Sequence, residues 1–275
     1  SFNGPESIWN GHQESTRGRD LDITGLDYER IGRSPAQWPW AAGASEGRER
    51  LYADGRFAHA SGRARFFDTP FEPTAESRDA RHPFALNTGR LRDQWHGMTR
   101  TGTVARLFGH APEPAVALSP QDMVRLGLVE GDLVRLRSRR GALVLPVQAS
   151  AQQAPMQVFV PMHWGAEYLF GRGEDDQPCH GVNTLTAAAV CPLSKQPELK
   201  HAALHLAKAD LPWRLFGLAW LPADDLLRRR EALRTLLGAF EYATCLPFGR
   251  ERQGLLVRAA ARAPAPAALL GQIEA

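Results

Sequence analysis

The stretch E-G-D-L-V-R-L-R-S-R-R-G-A-L-V-L-P-V-Q-A, residues 130–149, alternates apolar and polar side chains on both sides of a short turn. Alternation with a period of two residues is typical of a β-strand with one buried face. Between the two runs, R-R-G at 139–141 places a glycine where a tight turn needs one. We therefore predict two strands joined by a hairpin turn.

Similar short strands lie on either side of this hairpin. They are predicted at F-A-L-N-T-G-R (84–90), A-V-A-L (115–118), M-Q-V-F-V-P (156–161) and L-K-H-A-A-L-H-L-A-K (199–208). The last run is also compatible with a helix, because Ala and Leu favour helices. A brief helix is predicted after the second strand, with Ser119 as N-cap, Pro120 at its first position and Gly127 at its C-terminal end. Many short strands with one brief helix predict a closed barrel.

The segment before the barrel, residues 1–82, is rich in Gly, Pro, Arg and Asp and has weak periodicity. It predicts long irregular connections around short strands, such as R-L-Y-A-D-G-R-F at 50–57, with little core of its own. We expect this segment to wrap around a partner domain.

The tail, residues 210–275, predicts the element order β-α-β-β-α, which suggests a small α+β unit, ferredoxin-like in type. Its helix carries Asp224 and Asp225 in the predicted first turn. The apolar stripe of that helix comprises Leu226, Leu227, Leu233, Leu236 and Leu237. The preceding strand carries Trp213, Phe216 and Trp220, which we interpret as core; a docking surface for an electron donor is the alternative.

Composition narrows the class of protein. Hydrophobic residues make up 43% of the 275 positions, so a packed core is expected. The net charge of +3 is small and the basic residues are scattered among acidic ones, which argues against nucleic-acid binding. The sequence shows no membrane span and no signal peptide, so we expect no membrane partner and a cytoplasmic location. Because the chain opens on Ser1 in mid-loop, we expect a fragment of a longer protein.

The three cysteines, Cys179, Cys191 and Cys245, form no C-x-x-C pair. A disulfide framework, or a zinc or iron–sulfur site built from them, is therefore not expected. Reduced thiols in a cytosolic protein fit this pattern best.

The stretch N-T-G-R-L-R-D-Q-W-H-G-M-T-R-T-G, residues 87–102, is unusually rich in hydrogen-bond donors and poor in apolar residues. Its T-G-R turn follows a strand, and a glycine lets backbone N–H groups approach a ligand closely. The guanidinium groups of Arg90, Arg92 and Arg100 suit phosphate, and Trp95 can cover an aromatic ring. These groups indicate a large nucleotide-like cofactor; a solvated arginine loop is the alternative.

Three further segments have the same character. P-M-H-W-G (161–165) offers His163 and Trp164, G-V-N-T-L-T (181–186) offers Asn183, and S-K-Q-P-E-L-K (194–200) offers two lysines. Singly, each segment is weak evidence for a ligand site, because a histidine after a strand most often has a structural hydrogen bond and a pair of lysines is usually solvated. All lie at or near strand ends of the predicted barrel, where loops can converge on one site.

Together these motifs resemble, in order, the C-terminal part of bacterial assimilatory nitrate reductases of the molybdopterin oxidoreductase superfamily. H-Q-E-S-T-R-G-R-D-L-D-I-T-G-L (12–26) and F-E-Y-A-T-C-L-P-F-G-R (240–250) are similar to that subfamily as well. The resemblance covers nearly the whole chain. It implies a double-psi β-barrel over residues 83–209 that closes over a bis-molybdopterin guanine dinucleotide containing molybdenum.

The resemblance implies a set of residues that line the cofactor, all of which lie within the matched motifs. They are Thr88, Gly89, Arg90, Gln94, Trp95, His96, Thr99, Arg100, His163, Trp164, Asn183, Lys195 and Lys200. A structural salt bridge is the alternative role for Arg100, Lys195 and Lys200. No cysteine of this chain is assigned to the metal.

The resemblance implies reduction of nitrate to nitrite by oxygen-atom transfer at molybdenum. In that family the iron–sulfur cluster and the molybdenum ligand lie in the preceding part of the enzyme, so no catalytic residue is assigned and the isolated chain is expected to be inactive. The expected partners are the N-terminal remainder of the enzyme and an electron donor protein or reductase subunit. Alternatives are a periplasmic nitrate reductase, a formate dehydrogenase, or a stand-alone nucleotide-binding barrel with no redox role.

Overall fold

The computed structural model describes residues 2–172, 177–179, 181–198 and 200–275; Ser1 and Leu199, which the predictions above include, lie outside these ranges. The chain divides into two compact units, one ending at Phe71 and the other beginning at Glu72. No helix in the described part combines the length and apolar character needed to cross a membrane.

The first unit contains two helices, α1 (Pro5–Thr16) and α2 (Tyr28–Arg33), and irregular chain. The short strands predicted here were wrong, since residues 2–71 form none. Helix α1 begins at Pro5, where a missing N–H costs nothing. It has no apolar stripe, because its single buried residue is Gln13, whose amide donates to the Ile23 carbonyl at 3.2 Å. Polar anchoring of this kind leaves no periodic signal in the sequence.

The second unit begins with a six-stranded closed barrel, as predicted from the strand pattern. Its strands are β1 (Phe84–Gly89), β2 (Val116–Leu118), β3 (Leu133–Arg137), β4 (Ala142–Ala149), β5 (Gln157–Pro161) and β6 (His201–Lys208). Their order around the barrel is β1-β5-β2-β4-β3-β6. The β1–β5 and β2–β4 pairs are parallel and the other four are antiparallel.

The brief helix predicted after the second strand is α3 (Pro120–Arg125), and its capping is confirmed. The Ser119 hydroxyl accepts a hydrogen bond from the Asp122 amide at 3.1 Å, and Pro120 is the first helical residue. Gly127 follows the helix with φ of +61°, a conformation that glycine adopts without strain.

The tail follows the predicted order: β7 (Trp213–Trp220), α4 (Leu226–Leu237), β8 (Tyr242–Phe248), β9 (Gly254–Ala261) and α5 (Ala267–Glu274). The three strands form an antiparallel sheet in the order β7-β9-β8. One sheet face packs on α4 and α5, with Leu226 and Leu237 buried there. Two helix details were wrong. Leu227 is 51% exposed, and neither Asp224 nor Asp225 lies in the first turn, because α4 begins at Leu226 with Asp225 as its N-cap.

The small sheet is joined to the barrel at its β8 edge. The Phe170 amide donates to the Ala243 carbonyl at 3.0 Å, and the Cys245 amide donates to the Tyr168 carbonyl at 3.3 Å. Leu246 of β8 is fully buried within the same apolar cluster as the barrel core. The stretch 168–172 therefore pairs along β8 and covers that edge.

Residues 72–82 pack on the barrel through the carboxylate of Glu76. Its oxygens accept hydrogen bonds from the Arg140 guanidinium at 3.1 Å and from the Ala203 amide at 2.6 Å. The hydrogen bond from Arg140 is the main reason that the pKa of Glu76 is lowered to about 2. This carboxylate is mostly buried, so the contact is protected from solvent screening.

Replacing Glu76 by Gln is expected to lower the free energy of unfolding by up to about 3 kcal/mol at pH 7, because the charged partner of Arg140 is lost. The folded pKa lies below the unfolded value near 4.5, so the stabilisation is complete above that pH and is lost as pH falls toward about 2. Urea unfolding at pH 7 and pH 3 measures both effects. The exposed Glu251→Gln is the control; equal losses in the two variants would contradict the prediction.

Candidate functional site

The ends of three barrel strands meet on one side of the barrel. Strands β1 and β5 run parallel, with Gly89 opposite Pro161, and the Met162 amide donates to the Gly89 carbonyl at 2.9 Å. Strand β6 is antiparallel to β1, with its first residue, His201, opposite Asn87. The loops after β1 and β5 and the loop before β6 therefore leave the barrel at the same end.

The segment 181–186 also lies at this end. Gly181 has φ of +82°, and a Cβ atom there would lie 2.1 Å from the Trp164 carbonyl oxygen, so this loop lies directly on the loop after β5. The Arg140 guanidinium donates to the Leu185 carbonyl at 2.8 Å, which ties the other side of the loop to the β3–β4 turn. All four sequence segments singled out above thus lie at the same end of the barrel. We call the loops 90–102, 162–165, 181–186 and 191–198, with Lys200, the loop rim.

His163 organises the longest of these loops. Its side chain is 1% exposed; Nε2 accepts a hydrogen bond from the Leu91 amide at 2.8 Å, and Nδ1 lies 2.6 Å from the His96 carbonyl oxygen. Because Nε2 accepts, we assign the ring proton to Nδ1, which donates to that carbonyl. Burial lowers the pKa of His163, and the positive charge of Arg90 acts in the same direction. The neutral imidazole clamps both ends of the stretch Leu91–His96.

Gln94 is a second internal support of the loop. Its amide donates to the Leu107 carbonyl at 3.3 Å, and its carbonyl accepts from the Thr101 hydroxyl at 2.7 Å. Gly102 approaches Tyr168 so closely that a Cβ atom would lie 1.7 Å from the phenol oxygen. With both polar ends of Gln94 engaged inside the protein, its side chain holds the loop in shape.

The outer surface of the same loop carries free positive charge. Arg92 is paired with Asp93 at 2.9 Å, whereas Arg90 and Arg100 have no carboxylate partner in the described residues. The Arg90 guanidinium carbon lies 5.6 Å from the centre of the Trp95 ring, which is 52% exposed. His96, in turn, lies edge-on to Trp95, with ring centres 4.6 Å apart. A planar cation beside an exposed indole is suited to phosphate and aromatic groups.

The predicted site residues fall into two groups. Buried are Thr88, Gln94, His163 and Trp164, and Gly89 is half-buried. Exposed are Arg90, Trp95, His96, Thr99, Arg100, Asn183, Lys195 and Lys200. Two buried polar atoms, Thr88 Oγ1 and Trp164 Nε1, have no hydrogen-bond partner among the described residues. The indole of Trp164 packs on Phe108 and Tyr168.

The lysine segment is held by backbone hydrogen bonds of its own loop, such as that from the Lys195 amide to the Cys191 carbonyl at 3.0 Å. Lys195 has φ of +60°, and its ammonium group donates to the Pro192 carbonyl at 2.7 Å. Lys200 borders a cavity of about 340 Å³ together with Gln196 and His201. The two lysines thus have different surroundings, and only Lys195 is held by its own loop.

The residues that join the loops were missed from sequence. Arg140 links Glu76 to the Leu185 carbonyl, and Gly181 permits close contact with Trp164. The only sequence signals were an arginine pair in a predicted turn and the glycine that opens G-V-N-T. Neither signal says which distant segment the residue will contact.

Comparison with known proteins identifies the class of domain. Residues 84–203 match the family described as the Molydopterin dinucleotide binding domain. The match includes three strand ends and all four loops of the loop rim. The residues present fit such a ligand, because the rim carries arginines with no carboxylate partner among the described residues and an exposed indole. At or beside the rim, two buried polar atoms, Thr88 Oγ1 and Trp164 Nε1, also have no partner there.

The similar whole proteins are nitrate reductases. The chain is 37% identical to the nitrate reductase of Klebsiella oxytoca, over 83% of this chain and 26% of that one. It is 36% identical to the nitrate reductase of Synechocystis sp. (75% and 28%) and 29% identical to the periplasmic nitrate reductase of Desulfovibrio desulfuricans (76% and 28%). The resemblance to molybdopterin nitrate reductases is confirmed. The chain spans about a quarter of the length of these relatives.

Among solved structures, acetylene hydratase from Pelobacter acetylenicus aligns with a TM-score of 0.46 and 15% identity, over 68% of this chain and 28% of that one. This similarity is too low to define the fold, which the strand pairing described above establishes directly.

Proposed function

We propose that this chain is the C-terminal, cofactor-holding part of an assimilatory nitrate reductase, and that its loop rim binds a bis-molybdopterin guanine dinucleotide. The observation that supports this most strongly concerns the loop rim inside the matched domain. There, Arg90 and Arg100, which have no carboxylate partner among the described residues, lie on the same loop as the exposed indole of Trp95. Molybdenum in this cofactor, when bound, supplies the oxygen-atom transfer that converts nitrate to nitrite. The chain's own residues bind and orient the cofactor.

Each group of residues has a distinct part in this binding. Arg90 and Arg100 pair with phosphate oxygens, and Trp95 covers a ring of the ligand. His96, Thr99, Asn183, Lys195 and Lys200 add polar contacts from the exposed side of the rim. Thr88 and Trp164 have buried polar atoms without partners, for which a ligand would supply the missing hydrogen bonds. His163 and Gln94 act through the loop that they hold.

The finer description of the fold belongs to the same proposal. Two parallel strand pairs in an otherwise antiparallel six-stranded barrel support a double-psi barrel over residues 83–209. The β-α-β-β-α tail, residues 210–275, supports a ferredoxin-like unit. Residues 1–82 are assigned to the core of the enzyme, which they would help to cover.

The chemistry is assigned to the rest of the enzyme. In the described residues no group of three or more His, Cys, Asp or Glu side chains is placed to share a metal ion. We place the molybdenum ligand and an iron–sulfur cluster in the N-terminal remainder, which would receive electrons from a donor protein or reductase subunit. The chain by itself is then inactive.

A periplasmic enzyme is the second candidate, because a periplasmic nitrate reductase is also among the relatives. The motif D-Q-W-H-G-M-T-R-T-G (93–102) and the tail after residue 209 favour the assimilatory, cytoplasmic form. A formate dehydrogenase and a stand-alone nucleotide-binding barrel with no redox role are the further alternatives.

Replacing Arg90 by Ala in the full enzyme is expected to weaken cofactor binding about tenfold, because one charge-assisted contact to phosphate is lost. Molybdenum and guanine nucleotide content per purified chain measures this. Arg92→Ala is the matched control, since Arg92 is already paired with Asp93. Equal contents in the two variants would remove Arg90 from the binding site, and no guanine nucleotide in the wild-type enzyme would refute the proposed function.

A further inference from the structure

The two edges of the small sheet differ in whether other residues of the chain cover them. The β8 edge is covered by residues 168–172, as described above. Strand β7 forms the opposite edge and pairs with no other strand in the described part beyond its neighbour β9. The eight-residue strand is longer than a protected edge usually is.

The pairing with β9 fixes which backbone groups face outward. The Leu221 amide donates to the Gln253 carbonyl at 3.1 Å, and Trp220 stands opposite Gly254. In an antiparallel pair, hydrogen-bonded positions alternate along the strand. The odd-numbered residues of β7 therefore bond to β9, and the N–H and C=O groups of the even-numbered residues point away from the sheet.

Three of the four even-numbered residues of β7 also have exposed apolar side chains. Phe216 is 65% exposed, Leu218 52% and Trp220 41%, and Arg214 completes the set. These side chains lie on the face opposite α4 and α5, since alternate residues of a strand point to opposite faces. The sequence interpretation of Phe216 and Trp220 as core was wrong, whereas Trp213 does stack on Phe240, with ring centres 5.6 Å apart.

Apart from the charge of Arg214, the devices that normally protect an edge are missing from β7. It has no proline, no lysine and no bulge, and its register with β9 is continuous from end to end. An exposed apolar edge of this kind is a template for another strand.

We propose that a second copy of this chain pairs with β7 through its own β7, antiparallel, about a twofold axis at Gly217. In this register Phe216 stands opposite Leu218 of the second copy, and Arg214 opposite Trp220 of the second copy. Each even-numbered residue meets another even-numbered residue, so every outward-facing backbone group of the strand is hydrogen-bonded. The two small sheets become one six-stranded sheet.

The self-complementarity of the strand is what selects a second copy as the occupant. The register about Gly217 places apolar side chains together, puts a guanidinium beside an indole and brings no like charges face to face. Shifting the axis to Phe216 or Leu218 would place Pro212 or Pro222 in the ladder, where an N–H is missing. A twofold contact also closes on itself, so it yields a dimer and leaves no further edge open.

Two charge variants test both the contact and its register. Phe216→Glu and Leu218→Arg, each alone, are expected to weaken dimerisation of the full chain about tenfold or more, measured as a dimer Kd by sedimentation velocity. An equimolar mixture of the two variants is expected to recover much of the affinity, because the new glutamate of one copy faces the new arginine of the other. The double variant in one chain should recover it as well.

Controls keep the test decisive. Leu227→Glu alters another exposed leucine of the tail and should leave the dimer Kd unchanged. Circular dichroism confirms folding, and amide hydrogen exchange at Phe216 and Leu218 should slow with rising concentration of the wild-type chain. A monomeric wild type at every concentration, no recovery in the mixture, or an equal effect of Leu227→Glu would each overturn the proposal. A strand supplied by another protein would appear as the first of these results.

Discussion

Replacing Gly181 by Ala is expected to lower the free energy of unfolding by about 3 kcal/mol and to displace the loop 181–186. A Cβ atom at this position would lie 2.1 Å from the Trp164 carbonyl oxygen and 3.2 Å from its carbon, and backbone atoms cannot rotate away as a side chain can. The positive φ of the residue adds strain for any L side chain. Urea unfolding measures the loss, and limited proteolysis reports on the loop.

Gly131 provides a closely matched control for this experiment. It has the same φ of +82°, but a Cβ atom there would meet nothing within 4 Å. Gly131→Ala is therefore expected to cost only the conformational strain, about 1 kcal/mol. The difference between the two variants reports the clash with Trp164 together with the added strain of the Gly181 backbone, whose ψ is −167°. Equal losses would show that the loop 181–186 does not lie on the loop after β5.

Replacing His163 by Ala is expected to have an effect of similar size, about 2–4 kcal/mol, because two hydrogen bonds to the backbone are lost and a cavity remains. Increased hydrogen exchange and proteolysis within residues 90–102 would show that the loop has loosened. In the full enzyme, cofactor content should fall although His163 itself is buried. An unchanged exchange rate at Leu91 would contradict the clamp, whatever happens to the cofactor.

The clamp also predicts a pH dependence. The folded pKa of His163 lies below the unfolded value near 6.5, because burial disfavours the charged ring. The clamp's contribution to stability is therefore complete above about pH 6.5 and is lost as pH falls through the lower folded pKa. The stability advantage of wild type over His163→Gln should shrink between pH 7 and pH 5. His205→Gln, at an exposed histidine, is the control. The difference in unfolding free energy between wild type and this variant should be the same at pH 7 and pH 5.

The barrel could be predicted from sequence because its strands alternate. Strand β1 was the clearest case, since Phe84, Leu86 and Thr88 are buried and the residues between them are less so. Helix α1 could not be found in this way. It is held by single polar contacts such as that of Gln13, which leave no periodic pattern.

The loop rim was predictable only in part. Loops at strand ends were expected to converge on one site, and the register of β1, β5 and β6 places them at the same end of the barrel. The role of an individual side chain was not predictable, because a histidine after a strand can face a ligand or the backbone. His163 faces the backbone, and only the fold brings the Leu91 amide and the His96 carbonyl to its two nitrogens. The contacts of the remaining rim residues with a cofactor stay a prediction.

The edge contact between residues 168–172 and β8 limits how far this protein can be dissected. The family match ends at 203, which invites trimming the tail to obtain a minimal barrel. Such a truncation would strip the covering from Leu169 and Phe170 and remove Leu246 from the interior. The stretch 168–172 would then be exposed, and it begins a few residues after His163. We therefore expect the smallest part of the chain that folds by itself to extend beyond residue 203 and to include the small sheet, whose β8 edge covers residues of the barrel.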